Sequence, residues 1–489
     1  MKLVQVIKII CFLAIFGLMF VGATKVLQPK WINANGETLG IGRFNDMEDN
    51  SVEVACIGSS QIVYGMDNAC LYEDYGISSY SLAGASQPIM MSYAWLNEAL
   101  KTQKDSLKVV VYDVSPIYAK EVEASYKKQL DNMKLSKDKL HYIFEHDKRY
   151  TNPDKNEIGT YLFPIVGYHT RWNELSEQDF SYKDKDENFY RGYHLTKSLW
   201  NPGFTYDDFT LDGEEPEDIA MVDIQKEYFL KIVDLCKEND IKLVLVKTPN
   251  TRWSLTRHNG VEELANQYNL PFIDMNFDAT LKEINFVFEE DMKDINHCNA
   301  RGAKKVAKYI GAYLKDNYEL TDYRNVDDFD SVDIERYKRE YNESAMKTAM
   351  SIESYIDTIG ATSYDGVIYS TKRVTEENKD LTKRLLKKLK VDYTYEDLEG
   401  KRYIAVFKSG ILVDFAANES LADIGICAGS FNNGVGYAID GKVINIGGIE
   451  KKFDNAGLNA LVYDSANANI VDKTTITQLA DEIDVKHEK

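Results

Sequence analysis

The residues of this chain whose types and spacing could carry covalent chemistry are Ser60, in Gly58-Ser59-Ser60, and the pair Asp294 and His297, in Asp294-Ile295-Asn296-His297. A serine hydroxyl becomes a nucleophile when a base takes its proton. Imidazole titrates near neutrality and suits that task. A carboxylate three residues away on a turn can hydrogen-bond the ring, orient it and stabilise its protonated form. The chain has only 7 histidines in 489 residues, so an Asp-x-x-His pairing carries more weight here than in a His-rich sequence. Each motif also has a plain structural use. Ser60 can cap a helix through its hydroxyl, and Asp294 or Asn299 can start the helix that follows His297.

The elements that must bring these residues together are strands alternating with helices. Strand-like runs cover residues 52–57, 79–83, 107–112, 241–247 and 271–274. Helical periodicity covers 92–101, 224–239, 261–268 and 300–317. This alternation predicts an α/β fold with a mainly parallel sheet covered on both faces. Ligands of such sheets sit beyond the carboxyl ends of the strands. The rim segments are then 58–60, 84–87, 113–116 and 248–250, which makes Gln87, Asp113, Ser115 and Asn250 candidate substrate-binding residues. A serine at a strand-to-helix turn also places helix N–H groups beside a developing oxyanion. Residues 117–222 break the pattern and read as a mostly helical insertion, a cap over the cleft. Within it, Arg171 and Trp172 could contact a sugar substrate; packing inside the cap is their plainer role.

In this order and context, the two motifs make residues 52–318 resemble the SGNH/GDSL hydrolase superfamily. The resemblance implies a flavodoxin-like α/β domain over 51–320, with Ser60 as nucleophile, His297 as base, Asp294 as acid, and no cofactor or metal. The Gly-Ser-Ser variant, the apolar N-terminus and the insertion are most similar to membrane-anchored relatives of the D-alanyl transfer and O-acetylation type. That implies a serine esterase or O-acyltransferase acting on acylated glycan or cell-surface polysaccharide, with a membrane acyl-donor protein as a further partner. The family's oxyanion hole uses the nucleophile N–H, a glycine N–H and an asparagine side chain. Ser60 and Gly84 match the first two. The third block reads Tyr112-Asp113-Val114-Ser115-Pro116. A carboxylate cannot donate unless protonated, so either Ser115 or a backbone N–H substitutes, or the hole is weaker. A non-catalytic glycan-binding protein on a degenerate hydrolase fold is the competing reading.

The remaining segments set the surroundings. Residues 1–23 contain roughly 20 mostly apolar residues, enough for one membrane crossing. An uncleaved anchor with extracytoplasmic domains is the expectation, and a signal peptide cut after Val21-Gly22-Ala23 is the alternative. A polar stalk follows over 24–50. The net charge of −20, without basic runs, argues against a nucleic-acid partner. The six cysteines form no CxxC pair and suggest no disulfide framework. Residues 321–343 read as a charged linker, and 344–489 as a separate β-rich α+β domain. Residues 403–410 and 457–472 of that domain resemble, in swapped order, the strands of the interleukin-like EMT inducer domain, which implies a binding or packing role.

Overall fold

Five strands of the first unit, Val54–Gly58 (β1), Ser79–Ala83 (β2), Val109–Asp113 (β3), Lys242–Lys247 (β4) and Phe272–Asp274 (β5), pair in the order β2-β1-β3-β4-β5. All pairings are parallel. The computed structural model describes residues 3–28, 39–119, 123–150, 158–181, 190–196, 210–215, 221–326, 334–431, 434–479 and 482–488. The remainder of the expected stalk, cap and linker lies outside the described residues.

Strand periodicity divides the apolar side chains between two cores. Ala55, Ile57, Val110, Tyr112, Leu243 and Leu245 join one, with residues of the helices Ile89–Thr102, Asp223–Glu238 and Leu255–Tyr268. Val54, Cys56, Val109, Val111, Val244 and Val246 join the other, with residues of Ser60–Gly65, Asn68–Tyr75 and Ala300–Asn317. Burial on both faces is why these strands are unbroken apolar runs. Each fully buried aliphatic side chain contributes about 1.5–3 kcal/mol. The architecture is α/β, a parallel sheet between two layers of helices. Within 117–222 the described residues form short helices, among them Glu123–Asn132, Lys137–Tyr150 and Pro164–Tyr168.

Part of the stretch read as a linker has a different role. Residues Ile334–Lys347 form a helix whose Tyr337 is fully buried in the second core. The Tyr337 hydroxyl donates to Asp67 Oδ2 at 2.7 Å. Burial raises the Asp67 pKa to about 6, against the lowering effect of that bond. Only a narrow stripe of this highly charged helix (Ile334, Tyr337, Tyr341, Ala345), with Met346 at its end, is apolar, so its docking is inconspicuous in sequence.

The C-terminal unit is β-rich. A six-stranded antiparallel sheet runs, in spatial order, Glu482–His487, Asn469–Leu479, Leu458–Asp464, Asp365–Ser370, Arg402–Lys408 and Ile411–Asn418. A separate four-stranded antiparallel sheet packs with it over a second core. Arg301 of the first unit bonds Ser354 Oγ at 2.8 Å and Thr358 Oγ1 at 3.2 Å, and pairs with the buried Glu290 at 2.9 Å. Glu290 in turn accepts from Met350 N and Ser351 Oγ. This hydrogen-bonded charge pair fixes the two units together.

His487 closes the C-terminal sheet. Its Nδ1 lies 3.0 Å from Asp472 Oδ1 and its Nε2 lies 2.8 Å from the Ala349 carbonyl. A carboxylate and a carbonyl both accept, so the pair is satisfied when both ring nitrogens carry protons. Burial and Lys347 oppose the charge, but the hydrogen bond and charge of Asp472 outweigh them and raise the His487 pKa. A raised folded-state pKa gives stability that is fully present below the ordinary histidine value of about 6.5 and is lost as pH rises through the folded value. In urea unfolding, wild type should exceed His487→Ala by roughly 1.5–3 kcal/mol at pH near 6. The gap should narrow toward pH 9; a gap that does not change with pH contradicts the doubly protonated ring.

Candidate active site

The turn after β1 is built around Gly58. Its φ of +146° is a conformation that side chains rarely adopt, and a Cβ there would lie 2.6 Å from Asp113 Cβ. Ser59 then caps the helix Ser60–Gly65, its Oγ accepting from Gln61 N at 3.3 Å. The cap is therefore Ser59, which leaves Ser60 free for other use. Ser60 Oγ lies 2.8 Å from His297 Nε2. The Ser60 N–H stands in the first helical turn, where no intrahelical acceptor exists.

The second motif forms its own turn. Asp294 Oδ1 accepts from the N–H groups of Asn296 at 2.8 Å and His297 at 3.1 Å, and both Asp294 oxygens face His297 Nδ1, at 2.8 and 2.9 Å. Burial would raise the Asp294 pKa; the hydrogen bond and charge of His297 outweigh it and hold the carboxylate below its ordinary value. Asn299, not Asp294, caps the helix Ala300–Asn317. The sequence competition between cap and catalytic pair is thus resolved at both motifs by a neighbouring residue that does the capping. A carboxylate on Nδ1 leaves Nε2 as the acceptor for the Ser60 proton.

Gln61 ties the rim together. Its Nε2 donates to the Asn296 carbonyl at 2.7 Å, and its Oε1 accepts from Thr248 Oγ1 at 2.7 Å and Lys247 Nζ at 3.2 Å. Asn250 Nδ2 donates to the same Asn296 carbonyl at 3.2 Å, and Thr251 Oγ1 to the Ile295 carbonyl at 2.8 Å. The loops after β1 and β4 thereby brace the His297 turn from two sides.

Ser60 and His297 open into a cleft of about 250 Å³, lined also by Gln87, Ser115, Asn250, Lys247, Arg252, Trp253 and Arg257. Burial lowers the Lys247 pKa against the opposing influence of Asp113 and Asp274. Its ammonium stands 5.3 Å from the Trp253 ring centroid, and the Trp253 indole N–H is held by Asp274 at 2.7 Å. Arg257 Nε is buried without a partner among the described residues. Three cations therefore share this cleft in a chain of net charge −20.

The expected oxyanion donors fare unequally. Gly84 follows β2 beside the Gly58 turn, in the register that pairs Gly58 with Ala83, but it is not part of the cleft lining. A Cβ there would meet Gln129 Nε2 at 2.1 Å, so a larger residue would require the Gln129 side chain to shift. Asp113 is fully buried and accepts four bonds: Ser59 N at 3.1 Å, Ser59 Oγ at 2.6 Å, Ser115 N at 3.0 Å and Ser115 Oγ at 2.6 Å. It is a scaffold beneath the Ser59-Ser60 turn, not a wall of the cleft. Ser115 reaches the cleft, but both its donors are committed to Asp113, which removes it as a substitute for the missing asparagine. Arg171 and Trp172 do not line this cleft. Arg171 lies against the N-terminal helix Leu3–Leu27, where its Nη1 donates to the Leu27 carbonyl and its Nη2 pairs with Asp179 at 3.0 Å, while Trp172 is exposed.

Asp113 as a scaffold, and Gln61 and Arg257 as site residues, were not read from sequence. Ser115, two residues after Asp113, was the one local signal for the first. A larger groove of about 670 Å³ in the C-terminal unit presents cations, but Arg384 and Lys388 are paired there with Glu353 and Asp357, and its lining includes no Ser, Thr, Cys or His. Among known proteins, no family model and no curated protein matches this chain.

Proposed function

We propose that this chain is a membrane-anchored serine enzyme of SGNH type that moves acyl groups on cell-surface polysaccharide. The observation that carries the reading is the continuous chain Ser60 Oγ to His297 Nε2 at 2.8 Å and His297 Nδ1 to Asp294 at 2.8 Å, at the carboxyl rim of a parallel sheet. The strand order 2-1-3-4-5, with the nucleophile after β1 and the Asp-x-x-His turn before the last helix, supports the superfamily assignment. Ser60 Oγ attacks the acyl carbonyl and passes its proton to His297 Nε2, and the leaving alkoxide departs with that proton. Water or a glycan hydroxyl then gives its proton to His297, attacks the acyl-Ser60 ester and frees Ser60. The Ser60 N–H serves the oxyanion, and Lys247 supplies positive charge to the same cleft where the family asparagine is lacking. The helix of spanning length, Gln5–Leu27, supports an anchor, with the main domains extracytoplasmic and a membrane acyl donor as partner.

Full-length protein in detergent, given 4-nitrophenyl acetate, should release nitrophenolate in a burst that Ser60→Ala lacks. Adding an oligosaccharide acceptor should divert acetyl from water to the sugar. Release no faster than with Ser60→Ala would sink the enzyme reading in favour of a glycan-binding protein.

A further inference from the structure

The N-terminal helix does not stand away from the body. It contacts the helix Pro164–Tyr168, the turn His169–Asn173 and the helix Glu177–Ser181 of the insertion. Phe20 meets Phe163 edge-on, with ring centroids 6.0 Å apart. Arg171 clamps the end of the helix at the Leu27 carbonyl, and its guanidinium is held in turn by the buried Asp179. Gln28 Nε2 reaches the Asp131 carbonyl at 3.3 Å, and Asp131 also accepts from Tyr168 Oη at 2.6 Å.

Four large apolar side chains of this segment are uncovered, beside exposed polar residues that include Glu174 and Glu177. Phe163 is 50%, Val166 47%, Trp172 71% and Phe180 68% exposed. Every exposed Phe or Trp among the described residues lies either on the N-terminal helix or in the insertion. A soluble cap has no reason to concentrate them there, since exposed apolar clusters mark binding surfaces. Seven residues, or about 10 Å of helix axis, separate Phe20 from Leu27. Phe163 therefore meets the helix at the depth where interfacial helices bury their apolar faces, about 5–10 Å below the headgroups. Aromatic residues are enriched at that level because an amphipathic ring suits it.

We propose that residues 158–181 form a membrane foot. They lie in the lipid interface on the side where Leu27 emerges, with Phe163, Val166, Trp172 and Phe180 among the acyl chains. The partner is the bilayer itself, and the surface is continuous with the helix that crosses it. The body is then oriented by two contacts with lipid, which holds the Ser60 cleft at one attitude to the membrane.

The test uses the full chain in phosphatidylcholine vesicles, with or without bromine at the shallow positions of the acyl chains. The emission that depends on Trp172 is the wild-type spectrum minus that of Trp172→Tyr, a change at an exposed position that leaves packing alone. Bromine should quench that difference by roughly half, as for an indole within the interface. A difference spectrum insensitive to bromine, from a chain that resists extraction at alkaline pH, would overturn the foot while leaving the anchor. Extraction of the chain at alkaline pH would overturn both.

Discussion

Ser60→Ala should lower acyl turnover by roughly 10⁴- to 10⁶-fold, and His297→Ala should lower it by a similar factor. The double variant should be little worse than either single one, because nucleophile and base act as a unit and lose their function together. Ser60 Oγ bonds His297 Nε2 and has no part in capping, so its removal should leave urea stability nearly unchanged. Asp294→Asn should cost about 10⁴-fold, since an amide facing Nδ1 favours the wrong tautomer. Steady-state kinetics of the four variants decide the matter. Losses that multiply in the double variant would contradict the shared proton path.

Asp113→Asn should be the most damaging isosteric change outside the catalytic trio. Both Asp113 oxygens accept two donors each, from Ser59 and Ser115. An amide keeps one oxygen and turns an NH₂ group toward the other two donors. At roughly 1–3 kcal/mol for each of the two buried donors left unsatisfied, the loss is about 2–6 kcal/mol. Urea unfolding should show it, and turnover should fall further because Ser59 sets the backbone from which Ser60 projects. A stable Asp113→Asn variant with raised turnover would contradict the scaffold role and return this position to the oxyanion hole. Gly58→Ala addresses the same contact from the other side, since its Cβ would intrude on Asp113.

The sheet was legible because its physics is local. Runs such as 107–112 and 241–247 are apolar on both faces, and β-branched residues between turn signals leave few alternatives. Ser60, Asp294 and His297 were legible because each lies at an element end, where chain order and sheet topology fix which ends converge. Less local features were harder to read. Asp113 looked like a defective oxyanion residue because sequence does not show which way a rim side chain turns, and here it turns inward to two serine hydroxyls. Arg171 looked available for a sugar because sequence does not show that its guanidinium is engaged by the Leu27 carbonyl and Asp179. Tyr337 was hidden in a charged helix whose apolar stripe is only one residue wide per turn.

The central claim is that Ser60 is an activated nucleophile. Intact-mass and peptide mapping of the full-length protein after exposure to a fluorophosphonate tests it most directly. One adduct is expected, on Ser60, formed by wild type and by Trp172→Tyr but not by Ser60→Ala, and formed far more slowly by His297→Ala. A folded wild type that takes up no adduct, or takes it up on another residue, would contradict it.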